Sequence, residues 1–167
     1  MKFDLSKVLD REGESDVVTE DVDLRSFRYR GVAPFKEPVR MMAKACNRAG
    51  VVSLDCAYWF TLSLTCDRCL TPFAKQITQH STHTVVRSLQ NEDDDDYVVA
   101  PEGIVELDEL ATNDILLELP TKFLCREDCK GLCPVCGCDR NQTDCGCRTD
   151  GGDPRLEALN KFFEEDE

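Results

Sequence analysis

Val51-Val52-Ser53-Leu54-Asp55-Cys56-Ala57-Tyr58-Trp59-Phe60-Thr61-Leu62-Ser63-Leu64-Thr65-Cys66-Asp67-Arg68-Cys69 is the stretch on which the fold turns. Val52, Leu54, Cys56, Tyr58, Phe60, Leu62 and Leu64 are apolar at a period of two, and Ser53, Asp55, Thr61, Ser63 and Thr65 fill the alternate positions. That alternation predicts a strand with one face in a core and the other toward water. The strand runs straight into a C-x₂-C turn. Thr71 to Arg87, with Phe73, Ile77 and Val85, reads as its return. The expectation is a long antiparallel hairpin with Cys66 and Cys69 at its tip.

Upstream, Val39 to Cys46 alternates in part and leads into the turn signal Asn47-Arg48-Ala49-Gly50. Phe3, Leu5 and Val8 suggest a short strand or turn, and Ser15 to Asp23 an edge strand. Downstream, Asn91-Glu92-Asp93-Asp94-Asp95-Asp96 is a self-repelling acidic run, so 91–97 is expected as a solvated loop. Tyr97-Val98-Val99 and Ile104-Val105 suggest short strands. Asp108 reads as the N-cap of a helix over 108–119, with Ala111, Ile115 and Leu119 inward, and Pro120 stops it. Asp153-Pro154 followed by Leu156, Leu159 and Phe163 predicts a short C-terminal helix. The fold class expected is α+β: an antiparallel, barrel-like β core with two short helices. The division expected is a β core over 1–120 and a cysteine-rich module over 121–167 packed on it.

The chain has eleven cysteines, and Cys125, Cys129, Cys133, Cys136, Cys138, Cys145 and Cys147 fall within 23 residues. Thiolates so close repel one another unless a cation or a covalent bond holds them. The chain opens Met1-Lys2-Phe3-Asp4-Leu5 without an apolar signal core, and no apolar run approaches a membrane span. A cytoplasmic location is expected, where thiols stay reduced and metal is favoured over disulfides. Zinc is the ion expected, one or two per chain, bound by Cys66, Cys69, Cys125, Cys129, Cys133, Cys136, Cys145 and Cys147. One partition joins Cys133-x₂-Cys136 with Cys145-x-Cys147 and leaves Cys66, Cys69, Cys125 and Cys129. The other joins Cys66 and Cys69 with Cys133 and Cys136. The first closes a shorter loop at lower entropy. Gly137 permits a left-handed turn after the knuckle.

Each four-thiolate zinc centre would carry two negative charges. Arg68, Lys122, Arg126, Lys130, Arg140 and Arg148 stand beside the ligands and could offset them. Cys46 and Cys56, alone on strands, read as small core residues, and Cys138 as a spare thiol. His80 and His83 are three apart on a strand and face opposite sides. Trp59, the lone tryptophan, falls on the polar face of its strand, where it could stack on a base, although burial under another element is the more frequent role.

The net charge of −13 is unevenly spread. Residues 31–90 carry seven Lys/Arg against three acids, residues 91–120 eleven acids and no base, and residues 150–167 seven acids and two bases. A global excess of acid disfavours non-specific nucleic-acid binding. The mildly basic middle leaves room for one RNA-facing surface, and the acidic segments suit a basic partner. No catalytic set or phosphate loop is present, so no enzyme and no small-molecule substrate is expected. A closed four-cysteine shell leaves no position for substrate. Two rival readings are a dithiol redox protein using Cys66-x₂-Cys69 and a zinc-ribbon adaptor in transcription.

Cys66-Asp-Arg-Cys69-Leu70, Leu119-Pro120, Cys125-Arg-Glu-Asp-Cys129-Lys-Gly-Leu-Cys133-Pro-Val-Cys136-Gly137, Asn141, Cys145-Gly-Cys147 and Asp153-Pro-Arg-Leu156 together resemble the YceD family of large ribosomal RNA subunit accumulation proteins. The likeness spans roughly 35–163 and is to the Gram-positive long form, from which Cys138 departs. It implies a role in 23S rRNA accumulation and large-subunit assembly, with rRNA or a basic large-subunit ribosomal protein as partner and no membrane.

Overall fold

The structure is a computed structural model, and it describes residues 1–29, 31–88 and 97–147. The acidic run at 91–96, Arg148 and the C-terminal helix expected around Leu156, Leu159 and Phe163 lie outside the described residues. The elements are β1 (Lys2–Asp4), α1 (Ser6–Asp10), β2 (Ser15–Val22), β3 (Val39–Arg48), β4 (Val51–Thr65), β5 (Pro72–Val86), β6 (Tyr97–Val99), β7 (Ile104–Glu106) and α2 (Leu107–Glu118). The molecule is thus mostly β-sheet with two helices among the described residues. It divides into two compact units: Met1–Leu64 with Phe73–Thr121, and Thr65–Pro72 with Lys122–Glu167.

The first unit is built on a five-stranded sheet of order β2-β3-β4-β5-β6, with β1 and β7 forming a separate antiparallel pair. β2–β3 and β3–β4 are antiparallel, with Ala43 opposite both Val18 and Cys56. The order is open among the described residues, with β2 and β6 as edges, so the sheet does not close into a barrel. It is not wholly antiparallel either, because β6 joins β5 in parallel through Thr84↔Tyr97 and Val86↔Val99. The alternation in Tyr97–Val99 alone does not encode that direction.

The β3–β4 connection explains the register. Ala49 and Gly50 have φ of 52° and 82° between the partners Arg48 and Val51, the two positive values that a tight primed turn demands. Asn47 caps it: its Oδ1 accepts the Gly50 N–H at 3.1 Å, while its Nδ2 donates to the Val8 carbonyl at 2.7 Å. This register turns Val39, Met41, Ala43 and Ala45 of β3 inward with Leu54, Tyr58, Phe60 and Leu62 of β4. A slip of one residue would expose both sets together. Leu107, Ala111 and Ile115 of α2 are buried at i, i+4 and i+8, as a helix with one apolar stripe requires.

Around Phe3, Leu5 and Val8 the structure has both a strand, β1 with Phe3, and a helical turn over residues 6–10 with Val8 buried. One local expectation changes. α2 begins at Leu107 with Glu106 at the N-cap and no side-chain cap, so Asp108 sits inside the first turn. There its negative charge still favours the helix N-terminus.

Tyr58, Gln79, Ser81, His83 and Asp114 form a polar cluster inside the first unit. Asp114 is the buried polar residue of α2, and its Oδ2 accepts from the Tyr58 hydroxyl at 2.5 Å and from the Ser81 hydroxyl, with His83 Nε2 at 2.8 Å. Gln79 Nε2 donates to the Asp114 carbonyl at 2.7 Å. Burial and the Asp114 hydrogen bond push the Tyr58 phenol far up, so it stays protonated. Burial likewise raises the neighbouring Cys56 thiol to about 11, which makes it an inert core residue. Among the described residues, no buried side-chain polar atom lacks a partner.

Candidate metal centres

The second unit, in its described part, is a set of turns that aim sulfurs at two points. Cys66, Cys69, Cys125 and Cys129 form one group and Cys133, Cys136, Cys145 and Cys147 another, with all four sulfurs of each within 4.8 Å of one another. Cys66 Sγ lies 3.8 Å from Cys129 Sγ, and Cys69 Sγ 3.6 Å from Cys125 Sγ. A disulfide would require about 2.05 Å. This grouping is the one favoured by loop closure, and it leaves out Cys46, Cys56 and Cys138.

The two C-x₂-C turns have the same construction. The N–H of the residue after the second cysteine donates to the carbonyl of the first, Leu70 to Cys66 at 3.0 Å and Gly137 to Cys133 at 2.8 Å. Both residues are left-handed, with φ of 60° and 74°. Glycine does this freely, whereas Leu70 does it under strain.

Backbone donors then face the sulfurs. Burial opposes ionisation of Cys66, but the N–H groups of Cys125, Cys69 and Arg68 overcome it and hold the thiol at about 6. The Thr71 hydroxyl, 3.3 Å from Cys69 Sγ, lowers Cys69. Cys125 is pushed up to about 12, first by burial and then by the sulfurs around it. In the other group, backbone N–H groups lower Cys133, Cys136 and Cys145. Cys147 rises to about 12 beside the Cys136 and Cys145 sulfurs. Cys138 rises to about 12 next to the same two sulfurs. Donors already present favour the thiolate at Cys66, Cys69, Cys133, Cys136 and Cys145, whereas full ionisation of each group, Cys125 and Cys147 included, would need a cation.

The first group draws on segments remote in sequence, and side chains missed by the ligand count hold them together. Asp67 N–H donates to the Phe123 carbonyl at 2.8 Å, and Phe123 N–H returns a bond to Asp67 Oδ2 at 2.7 Å. Arg68 donates to the Cys129 carbonyl at 2.9 Å, so its guanidinium fixes a ligand's backbone besides adding positive charge. Asn141 reaches Cys129 Sγ with Nδ2 at 3.4 Å and accepts the Lys130 N–H with Oδ1 at 2.8 Å. Asp139, which accepts from both the backbone and side-chain nitrogens of Asn141, aims it. An asparagine at this offset carries no ligand signal of its own. Arg126 pairs with Asp128 at 3.5 Å on the surface, where such a pair contributes little.

Gly131 is the tightest glycine among the described residues of the second unit. Its φ is +71°, and a Cβ there would stand 3.0 Å from the Arg68 carbonyl oxygen, which accepts the Leu132 N–H at 3.1 Å. Gly131→Ala should therefore spread the two segments and, if the first group holds a metal, release it roughly tenfold faster to a chelator, given about 1–2 kcal/mol of left-handed strain before the clash. Stopped-flow colorimetry with a zinc-binding dye would read the rate.

The two groups differ in cover. Cys66, Cys69 and Cys129 are buried, whereas Cys136 is exposed and Cys145 and Cys147 are half-buried. The sequence profile of the large ribosomal RNA subunit accumulation protein YceD family matches residues 54–163, a span that contains both groups. The chain belongs to the YceD family. It is 29% identical over 133 residues to the uncharacterized protein YlbN of Bacillus subtilis (strain 168), covering 78% of this chain and 77% of that relative. No solved structure matches. In this YceD-family chain no helix of the described residues is long and apolar enough to cross a membrane.

Proposed function

We propose that the protein is a non-enzymatic cytoplasmic factor supporting accumulation of 23S rRNA during large-subunit assembly, with two zinc ions used structurally. The family match over both cysteine groups carries this reading. A tetrahedron with Zn–S near 2.3 Å has S···S edges of about 3.8 Å, and the separations of 3.8 and 3.6 Å agree with it. Four sulfurs complete each shell, so zinc chemistry on a substrate is not part of the proposal. In this reading β4 and β5, neighbours in the sheet, form a long hairpin whose connecting turn is stapled by the first zinc to Cys125 and Cys129. The partner is rRNA, a basic large-subunit ribosomal protein, or both, and no small-molecule substrate is involved.

Native mass spectrometry of freshly purified protein should show two zinc ions per chain, and free-thiol titration should rise by eight after a chelator, matching the eight grouped cysteines. A dithiol protein would instead show reactive thiols without the chelator and no metal. Deleting the gene should lower the ratio of 23S to 16S rRNA while leaving transcription of the rRNA operon unchanged. Reduced transcription would favour a transcriptional adaptor.

A further inference from the structure

One face of the β sheet answers to a ligand that the metal centres do not explain. Along β3, Arg40, Met42 and Lys44 alternate with the buried row and are exposed. Register places Trp59 opposite Arg40, Ala57 opposite Met42 and Asp55 opposite Lys44. Side chains so paired stand about 5 Å apart at Cβ. Trp59 is 38% exposed and Met42 36%, so part of this indole is open to solvent among the described residues. A groove of about 380 Å³ opens beside it, lined by Glu37, Arg40, Trp59, Thr61, Gln76 and Thr78 among others. Arg48 continues the basic row of β3.

We propose that this face binds single-stranded RNA, with a base stacked on Trp59 beside Arg40 and the phosphate backbone running past Lys44 toward Arg48. The inference rests on the ribosomal RNA reading above and assigns it a surface.

Three features select this occupant. An exposed indole among polar side chains offers a flat apolar platform, and every nucleobase has a face to lay on it. A duplex hides those faces in its own stack, which selects a single strand. The bases on β3 are spaced four residues apart, about 13 Å along a strand, and none of the three is in an ion pair among the described residues. Two acids share the face: Asp21 of β2 stands opposite Arg40, and Asp55, beside Lys44, is engaged by the Thr82 hydroxyl at 2.9 Å. On a chain of net charge −13, three bases outside any ion pair among the described residues give phosphate a foothold beside the indole, even with Asp21, Asp55 and Glu37 close by.

Trp59 is the only tryptophan, so its emission reports the site directly in the full, zinc-loaded chain. Oligouridylate of about a dozen nucleotides should quench it, with log affinity falling against log salt at a slope near −2, about 0.7 per phosphate contact. Arg40→Gln or Lys44→Gln should each flatten that slope by about 0.7. Trp59→Ala should weaken binding about five- to hundredfold, read by anisotropy of labelled RNA, and Trp59→Phe should restore most of it. All three positions are exposed, so an unchanged circular dichroism melt is expected. No quenching at low salt, equal affinity for duplex RNA, or preferential binding of polyglutamate would each overturn the proposal. If the triple variant Trp59→Ala, Arg40→Gln, Lys44→Gln still binds RNA as the wild type does, this face is wrong but the rRNA reading survives. If the wild type binds no RNA and gene deletion leaves 23S rRNA unchanged, the rRNA reading falls with it.

Discussion

Cys129→Ala should reduce the zinc content from two ions per chain to one and unfold the segment that the first group gathers. Cys129 is buried, its sulfur lies 3.8 Å from Cys66 and receives Asn141 Nδ2, and its carbonyl receives Arg68. Structural zinc binding contributes about 10–16 kcal/mol in small domains. Losing one of four ligands should remove roughly a quarter of that, about 3–4 kcal/mol or a few hundredfold in affinity. The described part of the second unit has few large apolar side chains in its core, Phe123 among them, so little else would hold it. Limited proteolysis should then cut within 122–147 while the strands of the first unit stay protected. Cys138→Ser, which falls outside both groups, should leave two zinc ions and the same cleavage pattern as the wild type. Two ions in Cys129→Ala, with unchanged proteolysis, would show that the first group is not a metal site.

Asp114→Ala should destabilise the first unit by about 3–5 kcal/mol without changing its metal content. The carboxylate serves Tyr58, Ser81 and His83 at once. Each buried donor deprived of its acceptor costs about 1–3 kcal/mol. The Tyr58 ring is fully buried and cannot turn its hydroxyl to water. For a unit of this size the melting midpoint should fall by roughly 10–20 °C. Asp114→Asn keeps the volume and one acceptor oxygen and should lose less. A melt unchanged within a few degrees would mean that the cluster is solvated in solution.

The sequence made β4 plain because seven apolar residues at strict alternation admit no other period, and the turn at 47–50 followed from Asn47 and Gly50. Both cysteine groups were also readable, since a C-x₂-C pair has one local geometry and the shorter loop closes more easily. The Asp114 cluster was not. Tyr58, Ser81, His83 and Asp114 come from β4, β5 and α2, and an acid on a helix reads as solvent-facing until its neighbours are known. Asn141 stood in the family pattern, but its role was hidden for the same reason, as its value lies in where Asp139 points it. The parallel β6 was unreadable because three apolar residues carry no direction. α1 went unseen because five residues are too few to show a helical period.

The separation of Cys69 from Cys125 by 56 positions has a consequence for how the molecule is made. At about 5–20 residues per second on the ribosome, the first knuckle emerges some 3–11 seconds before its partners exist. If the first group is the zinc site proposed above, two half-ligated sulfurs wait beside a growing strand during that interval. The nascent polypeptide thus passes through a window in which scavenging of a loosely held ion, or capture by a foreign thiol, competes with correct closure. Faster translation of the stretch between the pairs should narrow that window and raise the yield of correctly loaded protein.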